Sequence, residues 1–106
     1  MAKYLFKASL SPEGAKGVIK DGGSARRAAT TKMVESVGGK MEAFYFAFGE
    51  TDAYLIVDAP DNVAAAAIAM TVSASGSVAT ETVVLITPEE VDRAVKMKVA
   101  FTPPGA

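Results

Sequence analysis

Carboxylates and tyrosines near one short turn carry most of the chemistry available to this chain. Glu50 and Asp52 flank Thr51 just after Gly49, which places two carboxylates at one turn. Such a pair can act as a base or hold a hard cation. The same residues also make an ordinary solvated hairpin turn. Tyr54, Ile56 and Asp58 alternate, so on a strand they share one face. With Tyr45 opposite, they would line a cleft in which phenol and carboxylate groups orient a small organic ligand. Without a cleft they are core or interface residues with hydroxyls at the rim. Glu81 sits inside an apolar, Thr-rich segment; if buried, it needs a partner such as Lys3, Lys7 or Lys40. Ser24, Arg26 and Arg27 follow two glycines, and a helix N-terminus beside two guanidinium groups can hold an anion. The bland alternative there is a solvated basic face.

Composition excludes a good deal. The 106 residues include no Cys, His or Trp. Disulfides, thiolate nucleophiles, imidazole bases and haem held by a proximal His are therefore ruled out. No cofactor and no metal site is expected. The net charge of −1 gives no global attraction to nucleic acid or to a membrane surface. No run approaches the ~18 apolar residues of a membrane span, and the N-terminal apolar stretch is too short for a signal peptide. The expectation is a cytoplasmic protein, with residues 1–99 as one domain and 100–106 as a Pro/Gly tail.

The elements that would position these groups follow from pattern. Residues 3–10 alternate, as a strand does. Ser11-Pro12-Glu13 is a helix start, and Gly22-Gly23 interrupts that helix. Ser24 is expected to cap a second segment, 25–37. Residues 40–48 and 52–58 form a hairpin. Asp61 caps an Ala-rich helix over 62–73, and 78–86 is the fourth strand. Thr87-Pro88-Glu89-Glu90 opens a short last helix, with its body at 91–99. The order βαββαβ plus that last helix predicts an α+β, ferredoxin-like fold: a four-stranded antiparallel sheet with helices on one face. Phe44, Tyr45, Phe46 and Phe48 make the second strand apolar on both sides. The uncovered sheet face is then expected to bury Phe44, Tyr45, Phe46 and Phe48 against another copy, as a dimer or higher homo-oligomer.

Several of these stretches resemble one known family. Residues 3–14 are similar to the opening of GYD-domain proteins, as are Val37-Gly38-Gly39-Lys40 before Phe44-Tyr45, the turn Gly49-Glu50-Thr51-Asp52, Ala59-Pro60-Asp61 and Val78–Thr82. Thr51 stands where the family's name implies a tyrosine. The resemblance implies a ferredoxin-like, dimeric α+β-barrel type of fold and carries little about activity, because one architecture hosts many functions. The leading functional expectation is a non-catalytic oligomeric module binding a small molecule or a protein. A cofactor-independent oxygenase or isomerase using Tyr45, Tyr54, Asp58 or Asp52 is the alternative. A structural subunit whose tail, residues 101–106, clasps a neighbour is the third.

Overall fold

The computed structural model describes residues 1–106. Its elements are β1 (Ala2–Leu10), α1 (Pro12–Asp21), α2 (Gly23–Ser36), β2 (Lys40–Phe46), β3 (Ala53–Ala59), α3 (Asn62–Ala74), β4 (Val78–Leu85) and α4 (Pro88–Ala94). The four strands form one antiparallel sheet in the order β2-β3-β1-β4. The fold is α+β and ferredoxin-like, as the pattern predicts.

The helix starts obey local chemistry. Ser11 Oγ accepts the Gly14 N–H and Asp61 Oδ1 accepts the Ala64 N–H, each satisfying an orphan donor of a first turn. Thr87 and Glu90 form a reciprocal capping box at α4. Ser24 does not cap α2. Gly22 holds that position with φ +87°, and Ser24 lies inside the helix. Only glycine adopts such an angle at low cost, so the chain turns two residues earlier than a cap at Ser24 requires.

The core lies between the helices and one sheet face. Tyr4 and Phe6 from β1 pair with Val57 and Leu55 of β3, and all four are buried there with Val34 of α2 and Ala65 and Ile68 of α3. Every second residue of β3 is buried (Ala53, Leu55, Val57 and Ala59), the period of a half-covered strand.

Two expectations about extent are corrected. The last helix stops at Ala94, and 95–106 leave it as an arm without helix or strand. β2 ends at Phe46, so Phe48 lies in the connection to β3 and is fully exposed.

Candidate functional site

A cavity of about 300 Å³ opens between α1, α2 and the sheet. Its floor is low because small residues face each other there: Ala8 of β1 pairs with Ala53 of β3. Its roof is high because α2 presents Ala25 and Ala29 rather than large side chains. Phe6, Phe44, Phe46, Val18 and Met33 supply apolar walls. The Phe44 and Phe46 rings meet edge to face, with centroids 5.1 Å apart. No residue of α1 is buried, so that helix spans the gap without filling it. Sixteen of the 24 lining residues are hydrophobic, which sets an apolar occupant above a polar one.

The polar groups of the cavity are few. Thr30, almost fully buried, donates its hydroxyl to the Arg26 carbonyl at 2.8 Å, which commits it to the helix backbone. The Arg26 guanidinium reaches back to Thr30 Oγ1 at 3.4 Å and makes no ion pair. Glu13, Asp21 and Arg26 line the cavity with charges of both signs. Arg27, the neighbouring position of α2, is exposed. The expected anion cluster of Ser24, Arg26 and Arg27 therefore lacks its capping serine.

The other predicted site residues lie elsewhere. Tyr45 and Tyr54 face each other across β2 and β3, on the sheet face away from the helices. Asp58 shares that face and accepts from Lys3 Nζ at 2.9 Å. Glu81 pairs with Lys7 at 3.9 Å and is largely exposed, so the need for a buried partner does not arise. The Asp52 carboxylate accepts the Leu10 N–H at 2.7 Å, which ties the hairpin turn to the end of β1. Tyr54 and Glu81 do meet in a shallow depression with Lys7, Glu50 and Thr51. Of its eight lining residues only two are hydrophobic, so it offers little apolar burial. None of Tyr45, Tyr54, Asp58, Glu81 and Asp52 lines the helix–sheet cavity.

The expected four-residue interface patch is divided by the pleat. Phe44 and Phe46 point to the helix side, opposite Leu55 and Ala53, and Tyr45 alone stands on the open face. That face is still apolar along its middle, where Leu5, Ile56 and Val83 lie in register beside Ala43.

At one end of the open face, a bulge between Met41 and Ala43 brings Glu42 to Lys3. Lys3 then serves Glu42 and Asp58 together. The hydrogen bond to Glu42, then that to Asp58, raises the Lys3 ammonium above its ordinary 10.5. A raised pKa in the folded state contributes stability that is whole below the unfolded value and is lost as pH rises through the folded one. Lys3→Met should therefore remove an alkaline stability loss seen in the parent above about pH 10.4, measured by urea unfolding at pH 9 and pH 11. Equal slopes in both proteins would refute it.

Fold and cavity together define a ferredoxin-like α+β domain with a ligand-sized space between its two layers. A family model, the GYD domain, matches residues 4–95, and the chain belongs to the GYD domain family. No curated protein and no solved structure matches it. No helix is long and apolar enough to cross a membrane.

Proposed function

We propose that this protein is an oligomeric binding module that takes a small apolar molecule into the helix–sheet cavity and does not transform it. The observation that carries the proposal is the apolar space of about 300 Å³ under α1 and α2, which lies at the lower end of small-molecule sites. The space opens to solvent along α2, where Ala25, Arg26 and Ala29 are exposed, so an apolar occupant would cover apolar walls that water otherwise meets. The Thr30 hydroxyl is already bonded to a carbonyl, and no imidazole or thiol exists in the chain. The lining thus favours binding over nucleophilic or acid–base chemistry. Assembly would use the open sheet face around Leu5, Tyr45, Ile56 and Val83.

The test uses N-phenyl-1-naphthylamine, a neutral apolar fluorophore. It should bind saturably at one molecule per chain. Ala8→Leu and Ala29→Phe, which fill the floor and the roof, should each weaken binding at least tenfold while leaving the unfolding midpoint unchanged or raised. Unsaturable binding, or equal affinity in both variants, would sink the cavity as the site.

A further inference from the structure

Residues 95–101 read Val-Lys-Met-Lys-Val-Ala-Phe, in which large apolar residues recur at every second position, with lysine at two of the three places between and Ala100 at the third. All four residues of the apolar register are exposed: Val95 by 75%, Met97 by 74%, Val99 by 80% and Phe101 by 72%. The amides of Lys98, Val99 and Ala100 donate to no backbone carbonyl, whereas those of Val95, Lys96 and Met97 bond back to Val91, Arg93 and Ala94, so pairing over the full segment unwinds the turn after α4. The segment has a strand's sequence and no strand to pair with.

The dimensions of the whole chain point the same way. Its radius of gyration is 16.9 Å, against about 13 Å for a compact domain of this length. Its accessible surface is 7380 Å², roughly 1,800 Å² more than the ~5,600 Å² of an ordinary folded monomer of its mass. A standard interface needs about 800 Å² from each partner. The excess is roughly twice that amount.

The sheet has two free backbone edges, β2 and β4. β2 is guarded by the bulge at Glu42 and by Lys40, both of which discourage further pairing. β4 has no bulge and no lysine, and its one charge, Glu81, is paired with Lys7 of β1. It runs Val-Ala-Thr-Glu-Thr-Val-Val-Leu in unbroken register with β1, without proline or lysine. On its helix-facing side Val84 is exposed by 57%, as is Ile86 just beyond the strand end. A strand laid along this edge would satisfy its free N–H and C=O groups and bring apolar side chains beside Val84 and Ile86.

We infer that the 95–101 arm is an exchanged strand, which pairs with the β4 edge of a second copy of this chain. The exchange is reciprocal, so both arms are used and the pair closes on a two-fold axis. This arrangement is independent of whether the cavity binds a ligand.

The absence of cysteine makes the test clean. Lys98→Cys places a unique nitroxide label on the arm of the full-length chain. Labelled chains are equilibrated with unlabelled, ¹⁵N-enriched wild-type chains, and reduction of the nitroxide serves as the reference state. Strongest broadening of the Val78–Leu85 amides in the ¹⁵N chains is the expected result, with signal falling to less than half. Broadening centred on Lys40–Phe46, or on any other element, would overturn the edge assignment. Absence of intermolecular broadening would overturn the exchange itself, whether the arm is free or folds back on its own chain. A stop after Ala94 should raise the dimer dissociation constant at least a hundredfold by sedimentation, and an unchanged constant would likewise overturn the proposal.

Discussion

Tyr4→Ala should remove about 3–5 kcal/mol of unfolding free energy, the cost typical of truncating a buried aromatic residue. Tyr4 is 1% exposed and sits near the start of β1, between β3 and β4. Its ring lies 6.5 Å from that of Phe6, and both back onto the helix layer. Truncation would leave a void that the neighbouring strands cannot readily close, because β3 is held by ladder bonds on both sides and β4 is tied to β1 along its whole length. Domains of this size are stable by only about 5–15 kcal/mol, so the variant should approach the unfolding threshold. The hydroxyl contributes separately, donating to Asn62 Oδ1 at 2.6 Å and fastening β1 to the start of α3. Tyr4→Phe keeps the ring and should lose only about 1 kcal/mol. Urea unfolding of the three proteins at one fixed concentration measures both steps, since an associating chain has a concentration-dependent midpoint. A loss below about 1.5 kcal/mol for Tyr4→Ala would mean that the core relaxes around the void.

Gly14→Ala and Gly17→Ala should move stability in opposite directions, although both lie in α1. In an open helix the change to alanine gains up to about 1 kcal/mol. At Gly17 a Cβ meets nothing within 4 Å, so that gain should appear. At Gly14 it would stand 2.3 Å from the Ser77 carbonyl oxygen, which is backbone and cannot swing away. That oxygen also accepts the Ser11 N–H at 2.9 Å, so lifting α1 breaks the bond that fixes its start. Overpacking costs about 1–3 kcal/mol and the lost bond about 1 more. The sum exceeds the helical gain, and Gly14→Ala should be destabilised by roughly 1–3 kcal/mol. Because α1 roofs the cavity, it should also change fluorophore affinity, whereas Gly17→Ala should raise the midpoint. A stabilised Gly14→Ala would show that the first turn of α1 is not held against the loop before β4.

The element order was legible because each strand and helix start has its own local signal. Alternation in β1, and the Ser11-Pro12, Asp61 and Thr87-Pro88 starts, each point to one conformation. Faces were harder where both sides of a strand are apolar. Phe44, Tyr45 and Phe46 do not reveal which parity meets the helices. That depends on pairing with Ala53, Tyr54 and Leu55, a long-range fact. The bulge at Glu42 is also silent in sequence, yet it alone puts Lys40 and Ala43 on the same face despite their odd spacing. The Thr87 start predicts a helix body over 91–99, and the alternation from Val95 onward conflicts with that period. The cavity left no obvious trace, because alanines at core-facing positions look like close packing. The usable signal was their coincidence: Ala8 and Ala53 in register beneath Ala25 and Ala29. Tyr45, Tyr54 and Asp58 share one sheet face, and that face is the one the cavity does not use.

The left-handed glycine between α1 and α2 bears on how fast a guest could be exchanged. Gly22 lets two short rods meet without sharing a helical ladder, and α1 has no buried side chain to anchor it. Swinging α1 outward breaks few contacts, whereas opening the strands beneath would disrupt the core. Residence time in the cavity would then follow the stiffness of one backbone joint rather than the stability of the whole domain.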